Sequence, residues 1–300
     1  MTQHDPYPSR RDNRPAVLER REPVLHAGAD AAGPLSRDQL ERFERDGFLV
    51  VENVLTEGEV AALIDELELL RASFEGREDP VAIAEPESGE LRSVFMVHQI
   101  NQAYRRLAHH PNIMDVARQI LADEVYIHQS RINLKPGFKG KEFYWHSDFE
   151  TWHVEDGMPA MRAVSATLPL TENTHYNGPL MLVPGSHRRF VSCIGETPED
   201  NYKRSLRKQE TGTPDNETLK ALVDAGGIEA PLVQPGSMLL FDCNTMHGSA
   251  SNITPFPRSN VFFVYNAVSN QVTSPFGGRR PRPEFVATRE TMSPLDPRSR

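Results

Sequence analysis

From residue 125 onward the chain breaks into short apolar or alternating runs: "VYIHQSRINL", "MRAVSATLPL", "GPLMLVPGS", "GSMLLFD" and "NVFFVYNAV", with turn residues between them. Runs of this length, bounded by Gly, Pro, Asn and Asp, read as strands. No regular helix-period segment joins successive runs, so they do not form βαβ units. Helical periodicity lies mostly before them. Ser36 with Gln39 and Thr56 with Glu59 have capping-box spacing, and the second opens a periodic run through Val60, Leu63, Ile64, Leu67 and Leu70. "DGFLVVENVL" between them reads as a short strand and turn, and residues 111–122 as a further helix presenting Ile113, Val116, Ala117, Ile120 and Leu121. Helices first and many strands afterwards predict a mainly β fold with added helices, built on a sandwich or jelly-roll core whose mouth is the natural place for a ligand.

A chain of 300 residues is long enough to bury one large core. Residues 1–33 are polar, Pro-bearing and aperiodic, and are expected to form a flexible extension that buries too little apolar surface to offset the entropy of ordering. Residues 34–290 are expected to form one catalytic domain, and 291–300 a flexible tail. Within the domain, residues 195–230 interrupt the strand series with a polar stretch ending in a short helix closed by Gly226 and Gly227. A connection this long is either a lid or a tolerated surface insertion. The net charge of -9 disfavours nucleic acid and anionic membranes as partners, since both call for concentrated positive charge. Cys193 and Cys243 are too few for a disulfide framework, and no run approaches the roughly 20 apolar residues of a membrane span. The chain therefore reads as cytoplasmic and directed at small molecules.

Chemistry concentrates in "FYWHSDFETWHVEDG", residues 143–157. On an extended strand, side chains two apart share a face, so His146 and Asp148 can address one ion. "FDCNTMHGSASNITPFPR" supplies His247 just past an apolar strand, and Arg258 follows eleven residues later. Two neutral imidazoles and a carboxylate on one side of an ion form the facial triad of non-haem Fe(II) oxygenases, with the other positions open. His-x-Asp alone arises by chance; Arg258 sharpens the reading, because a planar guanidinium suits a bidentate grip on a carboxylate. Gln129, Arg131 and Asn133 make a polar stripe on one face of a predicted core strand, where buried groups would need partners. For Arg131 a solvated strand face and a functional one are equally open.

This set resembles the Fe(II)/2-oxoglutarate-dependent dioxygenases, in particular the phytanoyl-CoA hydroxylase-like superfamily, with its double-stranded β-helix (jelly-roll, cupin-like) core. "DGFLVVENVLTEGEVAAL" and "NGPLMLVPGSH" look like segments of the superfamily, and "FYWHSDFETWHVEDGMP" is similar to the signature stretch of the bacterial ectoine hydroxylases. The likeness spans roughly residues 35–290. It implies that His146, Asp148 and His247 ligate Fe(II) and that Arg258 holds the distal carboxylate of 2-oxoglutarate, with Asn133, Phe143, Ser165, Ser249 and, on its functional reading, Arg131 seating that co-substrate. It also implies that Gln129, Trp152, Phe241, Phe262 and Asn260 surround ectoine. O2 is then the second co-substrate, ectoine is hydroxylated to 5-hydroxyectoine as 2-oxoglutarate yields succinate and CO2, and a homodimer is expected. Trp152 would share strand parity with His146 and Asp148 if the strand ran that far. Strand aromatics are more often plain core, but ring faces attract a delocalised amidinium.

His153 has the opposite strand parity from His146 and is expected to make a structural hydrogen bond, Glu150 to be no ligand, and Glu155 and Asp156 to fix a turn before Gly157. His175 and His187 fall in turn-rich segments. Rival readings are a hydroxylase of proline or another small amino-acid-like solute, and a non-redox jelly-roll binding module. A halogenase is disfavoured because Asp148 is present, and a zinc hydrolase because no HExxH-type base is placed nearby.

Overall fold

The computed structural model describes residues 4–11, 14–85 and 88–296. In chain order the strands are β1 (Ala16–Glu19), β2 (Phe48–Val51), β3 (Ala82–Ala84), β4 (Leu91–Phe95), β5 (Val125–Lys135), β6 (Phe143–His146), β7 (Ala163–Pro169), β8 (Leu180–Leu182), β9 (Arg189–Ser192), β10 (Met238–Asp242), β11 (His247–Ser249) and β12 (Arg258–Ala267). The helices are α1 (Arg37–Asp46), α2 (Glu57–Phe74), α3 (Val97–Ile100), α4 (Gln102–Ala108), α5 (Pro111–Leu121), α6 (Asp148–Thr151), α7 (Tyr202–Ser205) and α8 (Asn216–Gly226). Both anticipated capping boxes form: Ser36 exchanges hydrogen bonds with Gln39, and Thr56 with Glu59.

Among the described residues the strands make an antiparallel seven-stranded sheet in the order β2-β10-β7-β12-β5-β4-β3, and a three-stranded sheet β6-β11-β8. The sheets do not close into a barrel. Period-two alternation gives the larger sheet two unlike faces. One face carries Ile132, Leu134, Val164, Ala166, Leu168, Leu240, Val261 and Phe263, which bury against Leu40 and Phe43 of α1, Leu63 and Leu67 of α2, and Ile113, Val116 and Ile120 of α5. Each such fully buried side chain removes enough apolar surface from water to contribute about 1.5–3 kcal/mol. The alternate residues, among them Arg131, Asn133, Ser165, Thr167, Arg258 and Asn260, are also mostly buried, so the other face is a polar interior. That asymmetry makes the site. No helix among the described residues is long and apolar enough to cross a membrane.

The expected flexible extension is corrected over its described part. β1 pairs with β9, Tyr7 and Arg10 are buried, and Val24 and Leu25 join the main apolar cluster. Sequence composition underestimates this segment because a few anchors, an aromatic ring, an arginine with waiting carboxylates and one strand register, hold a stretch without periodicity of its own. Near the end of the expected domain, Arg282, Val286, Ala287 and Thr288 are buried, and Thr288 N–H donates to His128 C=O. Residues 1–3, 12 and 13 of the expected extension and 297–300 of the expected tail lie outside the described residues.

His98, in α3, ties the helical layer to β5 through Ser130 Oγ at 2.6 Å. Burial, helped by Arg105 and His109, pushes its pKa down to about 4 from 6.5. Above pH 6.5 both folded and unfolded chains hold it neutral; between 6.5 and 4 only the unfolded chain takes up the proton, so stability falls with pH in that window. The loss reaches up to about 3 kcal/mol. His98→Gln, which does not titrate, should gain on the parent in urea unfolding as pH drops from 7 to 4.5, and a difference independent of pH would refute this.

Candidate metal centre and its cavity

The two histidines face each other across the small sheet: His247 of β11 is in register with His146 of β6, their rings 4.3 Å apart. Each donates its Nδ1–H to the backbone carbonyl two residues earlier, His146 to Tyr144 at 2.6 Å and His247 to Thr245 at 2.9 Å. Because a carbonyl only accepts, both Nδ1 atoms are protonated and both Nε2 lone pairs are free to ligate. Asp148 completes the group, with Oδ1 3.7 Å from His146 Nε2 and Oδ2 3.9 Å from His247 Nε2. Among the described residues this is the one cluster of metal-type ligands, all three within 4.8 Å of one another. Ligands at right angles about 2.1 Å from one ion stand about 3 Å apart, so a small inward movement suffices.

Asp148 gets there by a different route from the one strand parity suggests. β6 ends at His146, Ser147 caps the following turn by accepting from Glu150 N–H, and Asp148 opens α6. Ser147 Oγ also donates to Asn244 Oδ1, and the Asn244 amide donates to the carbonyls of His187 and Arg189, which ties the loop before His247 to the Asp148 turn. Trp152 is therefore on the Asp148 side as an i, i+4 helical neighbour, at the start of a π-helical turn, Trp152–Asp156. It lines the cavity, as expected, for a reason other than strand parity.

Electrostatics suit a cation. Burial, with His247 beside it, pushes the His146 pKa down to about 3, so that ring is neutral at ordinary pH. Burial alone would raise Asp148, but His247, Arg131 and His146 outweigh it and hold the carboxyl below its ordinary range. Among the described residues Asp148 Oδ2 has no hydrogen-bond partner. Buried polar atoms normally have one, and a carboxylate oxygen left over beside two free imidazole nitrogens fits a divalent ion.

The same test succeeds for an anion further along the polar face. Arg258 is directly opposite Lys135 on the neighbouring strand, is buried, and no carboxylate pairs with it among the described residues. Burial lowers its pKa to about 10, still protonated at neutral pH, and its Nη1 lacks a partner, as do Ser165 Oγ, Thr167 Oγ1 and both amide atoms of Asn260. A buried cation among orphaned donors fits the carboxylate of a small acid.

Of the sequence candidates, Gln129, Arg131, Asn133, Phe143, His146, Asp148 and Trp152 line one cavity. The rest flank it: Phe241 stands 5.0 Å from the His247 ring, Phe262 lies under the Arg131 guanidinium at 4.8 Å, Asn260 is paired with Asn133, Ser165 with Phe241, and Ser249 with Phe143. Arg131, for which a solvated strand face was equally open, lines the cavity. Gln129 is already engaged, donating to Val286 C=O at 2.6 Å and accepting from Arg131.

Glu155 and Asp156 do more than shape a turn. Glu155 binds Arg10, and Asp156 grips Arg282 through Oδ1 at 2.8 Å and Oδ2 at 2.5 Å, with His128 3.3 Å away. His153 is structural as expected, stacked on Phe276 and bonded to Met158 C=O and Asp5. Glu150 binds Arg10 and not the metal cluster. His187 is buried against Glu44 C=O, and His175 is exposed. Removing the carboxylate in Asp156→Ala leaves Arg282 buried without its anion, and should lower the unfolding free energy by about 3–5 kcal/mol in urea titration; a loss under 1 kcal/mol would contradict the pairing.

Sequence reasoning missed Lys135, Arg282 and Thr151, of which the last two line the cavity. Lys135 carried a legible signal, being next in the 129, 131, 133 alternation. Its Nζ is 2.8 Å from Ser249 Oγ, and burial, reinforced by Arg258 and Arg92, pushes its pKa well down. Arg282 had none, lying in an aperiodic Pro/Arg segment.

A family model for phytanoyl-CoA dioxygenase matches residues 43–260. The chain belongs to the phytanoyl-CoA dioxygenase family. Within that family it is 54% identical over 295 residues to the ectoine dioxygenase of Bordetella bronchiseptica, covering 98% of this chain and 95% of that protein. A crystal structure of EctD from S. alaskensis with 2-oxoglutarate and 5-hydroxyectoine superposes with a TM-score of 0.87 at 48% identity, covering 97% of this chain and 96% of that one. The crystal structure of the same enzyme with bound Fe also has a TM-score of 0.87, at 47% identity and 97% coverage of both chains. These likenesses agree with the mainly β, jelly-roll architecture, and with an enzyme of the Fe(II)/2-oxoglutarate type.

Proposed function

We propose that this family member hydroxylates ectoine to 5-hydroxyectoine, coupled to oxidative decarboxylation of 2-oxoglutarate by O2. The observation that carries the reading is the convergence of His146, Asp148 and His247 in a fold that also buries Arg258 with no carboxylate partner among the described residues; the likeness to ectoine dioxygenases supplies the substrate. When bound, ferrous iron supplies the redox chemistry, activating O2 with 2-oxoglutarate and delivering one oxygen to a ring C–H bond.

The protein's own residues do the rest. His146, Asp148 and His247 hold the ion from one side and leave the opposite side to the reactants. Arg258 binds the far carboxylate of 2-oxoglutarate, with Asn133, Phe143, Ser165 and Ser249 around it. Trp152, Phe241 and Phe262 offer ring faces to the amidinium of ectoine, each worth about 0.5–2 kcal/mol, while Arg131 and Arg282 bring positive charge to a cavity that receives a carboxylate. Residues 195–230 act as a lid that excludes water, a reading supported by the 201–211 wall of the cavity. Closure should slow limited proteolysis of this segment when iron, 2-oxoglutarate and ectoine are all present.

A cytoplasmic location belongs to the same reading, supported by Cys193 and Cys243, both buried and unpaired. A homodimer rests on the family resemblance alone and is checked by sedimentation. The deciding experiment is anaerobic loading with Fe(II), addition of ectoine, 2-oxoglutarate and air, and mass analysis. One added oxygen per succinate supports the proposal. Turnover of proline with ectoine untouched would replace the substrate, and no succinate with either would leave the non-redox binding module.

A further inference from the structure

Arg10 lies in the segment that composition places outside the fold, yet it is enclosed. Its guanidinium meets Glu150 at 2.6 Å and Glu155 at 2.5 Å, both carboxylates buried. Nε adds a bond to Glu150, Nη1 reaches Thr197 at 3.1 Å, and Nη2 reaches Thr151 at 3.1 Å. The five hydrogen bonds match the five N–H donors of a guanidinium, so none is left over. Ser9 Oγ donates to Glu150 Oε1, and the Asn201 amide donates to Glu155. Gly212 sits on the pair at φ +75°, where a Cβ would overlap Arg10 Nη2 and Glu150 Oε2.

Three separate stretches thus meet on one side chain: the amino-terminal strap, the helical stretch 148–156, and the segment 197–212. The last two both contribute to the cavity wall, the first through Asp148 and Trp152 and the second through Asn201, Leu206 and Thr211. Burying a cation with two carboxylates seldom gains stability over apolar packing, so what such a network contributes is a fixed geometry. We infer that Arg10 is a positioning residue for hydroxylation: acting through Glu150 and Glu155, it locks the helical wall of the cavity to the 197–212 segment. The inference rests on the function proposed above, although the clamp itself is measurable without iron.

The test uses full-length parent, Arg10→Met and Arg10→Lys proteins. Hydrogen exchange of the metal-free proteins should quicken by about tenfold in peptides covering 148–156 and 197–212, and stay unchanged in β5 and β12. With Fe(II), 2-oxoglutarate, ectoine and ascorbate, iron content should equal the parent's. The KM for ectoine should rise about tenfold and hydroxylated product per succinate fall at least twofold, with Lys intermediate because it keeps the charge and loses the fork. Parent-like exchange, KM and product ratio in a folded Arg10→Met protein would overturn the inference. If that variant does not fold, Arg10→Lys decides by the same three readings. A parent enzyme that leaves ectoine unchanged defeats the proposed function, whereas the exchange data still decide the clamp.

Discussion

Asp148→Ala is expected to lose iron and, with it, at least about 10³ in hydroxylation rate, because the ion's electrostatic contribution is several kcal/mol and each 1.36 kcal/mol is tenfold. The reason is specific to the site. Asp148 is the one anion among the three ligands, and its Oδ2 has no hydrogen-bond partner among the described residues. Removing it leaves two neutral imidazoles, each still oriented by its own backbone carbonyl, but no charge to balance a divalent cation. The metal-free variant should melt somewhat lower than the parent, because Arg131 and the two histidines hold Asp148 ionised in the fold and its removal leaves the Arg131 charge uncompensated. Adding Fe(II) should raise the parent's melting temperature and leave the variant's unmoved, because only binding to the folded state stabilises it. Iron retained at one equivalent in Asp148→Ala would place the metal elsewhere.

Arg258→Gln separates co-substrate binding from folding. A charge-assisted bidentate bond to a carboxylate is worth up to about 3 kcal/mol, so the KM for 2-oxoglutarate should rise about 100-fold. The kcat at saturating 2-oxoglutarate should stay within a few-fold, because Arg258 holds the end of the molecule away from the reacting atoms. Unlike most buried arginines, this one has no carboxylate partner among the described residues and faces Lys135 across the sheet. Its removal should therefore leave metal-free stability unchanged or higher, in contrast to Asp156→Ala, which breaks a compensated pair. An unchanged KM, or a large stability loss, would show that Arg258 is structural.

Much of the architecture was legible because alternation and capping are local. The alternation in β5 put Gln129, Arg131 and Asn133 on one face, and the structure places all three on the cavity. Parity failed where the backbone changed type. Asp148 and Trp152 lie past the end of β6, and they reach the site through a capped turn and an i, i+4 relation that two-residue counting does not contain. Composition failed at both ends of the chain, where Arg10 and Arg282 have no periodic neighbours.

The ligand types, their order and the interior-facing stripe of β5 and β12 were set by the sequence alone, since each depends on residue chemistry and short-range geometry. Which groups are compensated was decided by tertiary structure. Arg282 and Arg10 are satisfied by carboxylates more than 120 residues away, whereas Asp148 and Arg258 are left with unpaired atoms. Whether a buried charge meets a partner depends on the packing of distant segments, and that difference separates a structural ion pair from a place prepared for a ligand.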